Sequence, residues 1–372
     1  MNHTISNSFD PCVISRVSHL SSVCDSTSPT NSFDSFVEDS ASTNHQHLPT
    51  ILITGGCGFI GSNLINKLIH NNRIICIDNL ITGSLNNIKN HIKNPNFTFI
   101  NHDICNPIID IVGETLSSSE PLLQIYHLAS LASPEKYKKY PIETLLTSIN
   151  GTQNVLQLCI KYKSKLLFTS TSEIYGDPLV HPQPEEYFGN VNTIGERSCY
   201  DEGKRVCETL LYLYREQYKL DIKIVRIFNT YGPFMDIHDG RVITNFIKNI
   251  LLNKPVLIYG DGTQTRSFCY IDDMIDGLER MMKSEEKGPI NLGNPNCEFS
   301  LNSLIKIYGK ITGINVMIQY MDSTQDDPKV RKPVIDKAME KLLWEPKINI
   351  EEGLKKTMEY FLDIQNFVGV ES

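Results

Sequence analysis

This chain has no Cys-x-x-Cys pair, no His/Cys cluster at zinc spacing, no basic block and no apolar run of membrane length. Each absence removes a class of function. Ten cysteines placed singly make no zinc site, and no metal is expected. Those inside apolar runs, such as Cys76 and Cys159, read as core residues, a usage that fits a reducing compartment. A membrane span needs about 20 consecutive apolar residues, so no membrane partner is expected. Lys and Arg number 35 against 43 Asp and Glu, a net charge of −8, which argues against nucleic acid as the principal partner. The expected location is cytoplasmic.

What is present describes a globular chain: 40% hydrophobic and 21% charged residues over 372 positions, enough for two lobes. Residues 1–48 are dominated by Ser, Asn, Thr and Asp. Such a stretch cannot bury enough surface to offset its ordering entropy. It also lacks the apolar core of a signal peptide, and Arg16 stands against Asp10, Asp25, Asp34, Glu38 and Asp39, unlike an Arg-rich transit peptide. A disordered polar tail is expected there.

From Pro49 short apolar runs alternate with helical periodicity. Strands are expected at Ile51–Thr54, Arg73–Asp78, Phe97–Ile100, Gln124–Leu128, Lys165–Thr169 and Ile222–Phe228, with helices near 143–161 and 201–218. This alternation predicts an α/β fold, a Rossmann-like doubly wound parallel sheet. Beyond Asn229 the pattern loosens into turns, a helix around 242–252 and two amphipathic stretches, as in a smaller, mixed C-terminal substrate-binding lobe. The expected division is 49–229 for the nucleotide-binding domain, returning near 267–293. The lobe is expected from 230–266 and 294–363, with a tail at 364–372.

Gly55, Gly56, Gly58 and Gly61 sit between the first strand and a helical run. Glycines there let backbone approach a pyrophosphate seated on the helix N-terminus. A glycine triplet alone also marks ordinary turns. Asp78, ending the next strand about 20 residues on, is the carboxylate that would bond both ribose hydroxyls. It would repel a 2′-phosphate, so NAD is expected over NADP. Asp103 follows the third strand; an adenine contact and a simple turn-capping role are both compatible with its position.

The stretch from Leu166 to Arg205 holds the candidate chemistry. LLFTSTSEIYG breaks from an apolar strand into hydroxyls and one carboxylate, and Tyr200 precedes Lys204 by four residues. On a helix both side chains share one face. An ammonium beside a phenol favours the phenolate, giving a base able to act on a hydroxyl. A solvated helix face is the plainer alternative for such a pair.

The residues GGCGFIG, the Ser/Thr cluster before Tyr175-Gly176, Tyr200-x-x-x-Lys204 and RIFNTYGP resemble the extended short-chain dehydrogenase/reductase family of nucleotide-sugar enzymes. TSTSEIYGDPLVHPQPEEYFGNVN, GERSCYDEGKRVCE, YGDGTQTRSFCYIDD, GPINLGNP and RKPVIDKA are most similar to its UDP-glucuronic acid decarboxylase branch, over about residues 50–362. The resemblance implies oxidation at C4 of UDP-glucuronate by tightly held NAD, loss of C6 as carbon dioxide, and reduction of the C4 ketone to give UDP-xylose. It implies Tyr200 as the base, Thr171 on the same oxygen, and Lys204 on the nicotinamide ribose and lowering the Tyr200 pKa. Glu173 would place the ring or take part in proton transfer at C5. Ser172 stands where the related 4,6-dehydratases carry an acid. Arg331 would position the glucuronate. Phe59, Ile60, Asn79 and Leu128 join the cofactor candidates. Tyr137, Asn229, Arg241, Tyr259, Gln264 and Arg266 are candidates for the UDP and sugar. Two departures, Ser130-Leu131 in place of Cys-Pro and Thr193 in place of proline, bear on substrate affinity rather than chemistry. A dehydratase or 4-epimerase on the same scaffold, and a catalytically silent NAD-binding partner protein, are the alternative readings. Analogy also implies a homodimer through helices near 143–161 and 201–218.

Overall fold

Apolar runs too short for helices and closed by glycine or polar turns form the strands of one parallel sheet. In the computed structural model, which describes residues 48–117, 120–322 and 329–367, they are β1 (Thr50–Thr54), β2 (Arg73–Asp78), β3 (Phe97–Asn101), β4 (Leu122–His127), β5 (Lys165–Thr171) and β6 (Ile222–Ile227). Between them lie α1 (Phe59–Leu68), α2 (Ile109–Thr115), α3 (Pro134–Lys139), α4 (Pro141–Leu146), α5 (Thr152–Tyr162) and α6 (Ser198–Tyr218). The expected tail at residues 1–48 lies, but for Leu48, outside the described residues.

The chain then runs through β7 (Thr230–Tyr231), α7 (Val242–Leu251), β8 (Val256–Tyr259), β9 (Thr265–Ser267), β10 (Cys269–Tyr270), α8 (Ile271–Lys283) and β11 (Ile290–Leu292). It ends in β12 (Glu298–Ser300), α9 (Leu301–Thr312), β13 (Ile318–Met321), α10 (Asp336–Leu342) and α11 (Ile350–Phe367). The small strands pair as β7 with β10, β9 with β12 and β8 with β13.

The seven-stranded sheet has the order β11-β6-β5-β4-β1-β2-β3, and every pair in it is parallel. Both faces are covered, so neighbouring residues of one strand enter different cores. Leu52 packs with Ile75, Val155 and Leu211 on one face; Ile53 packs with Leu64, Ile74 and Met274 on the other. Strand order reverses between β1 and β4, and at such a switch point the carboxyl ends of the strands open a crevice.

The expected helix over 143–161 is interrupted. A π-helical turn, Thr147–Gly151, separates α4 from α5. There the Ser148 carbonyl accepts from the Cys207 thiol at 3.0 Å, and a side chain at Gly151 would collide with Ile104. Among the described residues no helix is long and apolar enough to cross a membrane, and no cluster of metal ligands occurs.

Candidate active site at the carboxyl edge of the sheet

β1 delivers the chain into the glycine turn, where the Gly55 N–H donates to the Ile77 carbonyl at 2.8 Å. The turn is packed unevenly. A Cβ on Gly61 would lie 2.3 Å from the Gly55 oxygen and 2.6 Å from Gly56 Cα, whereas one on Gly58 would meet only the Gly55 oxygen at 3.3 Å. Gly58 caps α1 without any side-chain hydrogen bond, and the first turn carries no acid. The amide end of the helix dipole is left for an anion.

Asp78 is buried at the end of β2. Its carboxylate accepts from the Cys57 N–H at 3.0 Å and the Leu80 N–H at 2.8 Å, so it braces the glycine turn. Burial raises its pKa, and these two amides oppose the rise. Asn79 accepts from the Ile81 N–H at 3.2 Å. Asp103 accepts from the Cys105 N–H at 2.9 Å, which is the turn-capping arrangement.

The next edge is set by β5. Thr171 accepts from the Glu173 N–H at 3.2 Å and so starts the 3-10 turn Ser172–Tyr175. From α6, Tyr200 is buried against Tyr137, the rings stacked at 5.6 Å with 10° between their planes. The Lys204 ammonium donates to the Thr169 carbonyl at 2.9 Å and lies 4.7 Å from the Phe168 ring centroid. Burial pulls Lys204 down to about 8 and pushes Tyr200 up to about 12, opposed mainly by the Thr171 hydroxyl and the Arg241 guanidinium. The expected lowering of Tyr200 by Lys204 is therefore not what this chain alone shows. A buried ammonium needs an acceptor, and it takes a main-chain carbonyl.

Arg331 is 1% exposed. It donates to Ser172 Oγ and the Gly176 carbonyl, both at 2.9 Å, and its Nη1 lies 2.9 Å from Glu173 Oε1. Arg197 donates to the other Glu173 oxygen, to the Tyr137 hydroxyl at 3.0 Å, and its Nε lies 3.5 Å from Asp201. Burial disfavours a charged Glu173, but Arg331 and Arg197 outweigh it and hold the carboxyl at about 2. Asp201 has one anionic neighbour too many: burial and Glu173 push it up to about 7.

These edges enclose a cavity of about 500 Å³, the size of a small-ligand site. Phe59, Ile60 and Leu128 line its nucleotide side; Thr171, Ser172, Glu173, Tyr200 and Lys204 line the middle. Tyr137, Asn229, Arg241, Tyr259, Gln264 and Arg266 line the remainder. Gly55, Gly58, Gly61, Asp78, Asn79 and Asp103 are not in that wall. Nor is Arg331, whose fork is taken up by protein groups behind Ser172 and Glu173. Sequence reasoning missed Arg197, which does line the cavity. Its only local sign is the i,i+4 spacing to Asp201.

The family model for the NAD dependent epimerase/dehydratase family matches residues 51–293. The chain belongs to this family. UDP-glucuronic acid decarboxylase 5 of Arabidopsis thaliana is 50% identical to it over 313 residues, 84% of this chain and 89% of that relative. UDP-glucuronic acid decarboxylase 1 of Xenopus tropicalis is 46% identical over 312 residues, 84% and 72% of the two chains. Among solved structures, UDP-glucuronic acid 4-epimerase from Bacillus cereus, in complex with UDP-glucuronic acid and NAD, is 29% identical with a TM-score of 0.76, covering 85% of this chain and 99% of that one.

NAD is this family's cofactor, and the residues present fit it. The helix N-terminus behind Gly58 has no side-chain cap, a Cβ on Gly58 would meet only the Gly55 oxygen, and Asp78 keeps lone pairs beyond the two amides it accepts from. The family's doubly wound sheet places these groups and the Thr171–Tyr200 edge around one crevice.

Proposed function

We propose that this protein converts UDP-glucuronate to UDP-xylose and carbon dioxide, with NAD held through each turnover. The observation that carries the reading is Ser172, whose hydroxyl accepts from Arg331. No acid stands there to protonate a departing C6 hydroxyl, as a 4,6-dehydratase requires. The identity to UDP-glucuronic acid decarboxylases from plant and frog supports the same substrate.

Bound NAD supplies the hydride acceptor for C4 and later returns the hydride. Tyr200 takes the C4 hydroxyl proton and gives it back at the end, while Thr171 bonds the same oxygen. Lys204 would hold the nicotinamide ribose. With C4 a ketone, the C6 carboxylate is β to a carbonyl, so its bonding electrons pass into an enolate as carbon dioxide leaves, and C5 then takes a proton from solvent water to restore the C4 ketone for reduction. Glu173, held ionised, places the ring rather than donating a proton. Arg331 acts through Glu173 and Ser172. Residues 49–229 hold NAD through Gly55, Gly58, Gly61, Asp78 and Asn79. Residues 230–266 and 294–363 hold UDP and sugar through Asn229 at their boundary, Arg241, Tyr259, Gln264 and Arg266.

The assembly is a homodimer in this reading. Ile142 and Leu146 of α4 are 70% and 43% exposed, and Val206 and Leu213 of α6 are 42% and 53% exposed, an apolar face of the kind copies bury. Free thiols among the described residues suit the cytoplasm.

Incubation with NAD and UDP-glucuronate tests the reaction. Carbon dioxide and a pentose nucleotide are expected. The likeness to the Bacillus cereus epimerase favours a second reading, 4-epimerisation, and a hexuronate product without carbon dioxide would replace the first reading by it. Tyr200→Phe lowers turnover by about 10²–10⁴; unchanged turnover contradicts the base role.

A further inference from the structure

We infer that Arg197 is a positioning residue of this site, braced by Asp201, which locks the Tyr137–Tyr200 stack and the Glu173 carboxylate into one rigid unit. The inference rests on the decarboxylase reading and deepens it. One planar guanidinium reaches three groups on three elements. It donates to the Tyr137 hydroxyl of α3 at 3.0 Å and to the Glu173 carboxylate of the 3-10 turn after β5. It lies 3.5 Å from the Asp201 carboxylate of α6. The fork geometry of arginine fixes the angles between its partners, which a lysine ammonium cannot do.

Arg331 already neutralises Glu173 from behind, with 2.9 Å between Nη1 and Oε1. Arg197 shares in that charge balance, but charge alone does not require contacts on three elements. What Arg197 adds is the link from Glu173 to the tyrosine stack, from the residue immediately before α6. Tyr200 lies one turn on, so displacement of Arg197 moves the phenol relative to Thr171.

Asp201 sets when the brace is present. Arg197 faces it from its own helix, Glu173 and Arg331 from the turn and the C-terminal stretch, and the Tyr137 and Tyr200 phenols flank it. Its Oδ1 is buried without a hydrogen-bond partner. Burial and the Glu173 charge hold it near 7, so the anion that braces Arg197 forms only as pH rises through neutrality.

The test uses the full chain loaded with NAD. Carbon dioxide release by the unmodified protein is measured first; its absence fails the decarboxylase reading, not this one. With release established, Arg197→Ala is expected to lower kcat about 100-fold, the cost of an ångström-scale misplacement, with the Kd for UDP within about twofold. Guanidinium ion at about 20 mM restores at least about tenfold of that loss, because it refills the fork. Arg197→Lys folds if the alanine variant does not, and is expected to lose about tenfold in kcat. The unmodified protein is expected to show an acid limb in its kcat profile where Asp201 ionises, at about 7, and Asp201→Asn is expected to remove it. Turnover of Arg197→Lys or Arg197→Ala within about threefold of the unmodified protein overturns the inference. So does a loss that guanidinium does not reverse and that comes with weakened UDP binding, and so does an unchanged acid limb in Asp201→Asn.

Discussion

Arg331 and Glu173 meet inside the wall of the cavity rather than across it, joined through Nη1 and Oε1 at 2.9 Å. The arginine also satisfies Ser172 and Gly176. Removing one partner of a buried pair costs about 3–5 kcal/mol when the other charge is left uncompensated. Glu173 keeps Arg197 as a partner, so Arg331→Ala is expected to lose less than that, about 1–3 kcal/mol of unfolding free energy in a urea titration, from the unpaired Ser172 and Gly176 acceptors. Unchanged stability with only a raised KM would mean that the arginine faces substrate instead.

The two glycines of the turn predict opposite outcomes. Gly61→Ala forces a methyl to 2.3 Å from the Gly55 oxygen and is expected to cost about 1–3 kcal/mol or more. Gly58→Ala meets only one contact at 3.3 Å, so stability changes by about 1 kcal/mol or less. In the proposed reading the added methyl stands where the pyrophosphate would approach. NAD retained through gel filtration should fall for Gly58→Ala while its melting temperature holds. Full retention by that variant contradicts the phosphate site.

Asp201 makes stability depend on pH in an unusual direction for an acid. Its folded pKa, about 7, lies above the ordinary value of 3.8, so the fold favours the protonated form. That contribution is complete below the unfolded value and is lost as pH rises through the folded one. Asp201→Asn mimics the protonated group. It should melt higher than the unmodified protein at pH 8, by about 2–5 °C, and nearly alike at pH 4. A lower melting temperature at pH 8 would show that the Arg197 contact outweighs the burial cost.

A carboxylate on the exposed face of α6 should break the proposed homodimer. Leu213→Glu, at a position 53% exposed, is expected to sediment as a monomer where the unmodified chain sediments as a dimer. A monomer in both cases rejects the assembly.

Local spacing placed Asp78 at the end of β2 but not its two amide partners. It made the meeting of Thr171, Tyr200 and Lys204 at one cavity legible, because a strand end and one helical turn already fix their directions. The Glu173–Arg331 pair was not, since 158 residues separate its members and only the folded chain shows that the arginine points behind the carboxylate. Arg197 stood in a quoted string without a role, its partners lying on other elements. The phenol of Tyr200 moved opposite to expectation because burial, which no spacing reveals, outweighs a nearby ammonium whose hydrogen bond goes elsewhere. The π-helical turn at Thr147–Gly151 has no signature in the apolar period that continues through it.

β11 pairs with β6, although the chain builds β7 to β10 and two helices between them. As the polypeptide leaves the ribosome, β6 therefore waits with an open edge until Ile290–Leu292 arrives. Only then does the Phe228 N–H find the Leu292 carbonyl, at 2.9 Å, and the Asn291 amide tie Gln183 to Val334. A fragment cut after the last main-sheet helix crossing would present that bare edge to any other extended chain.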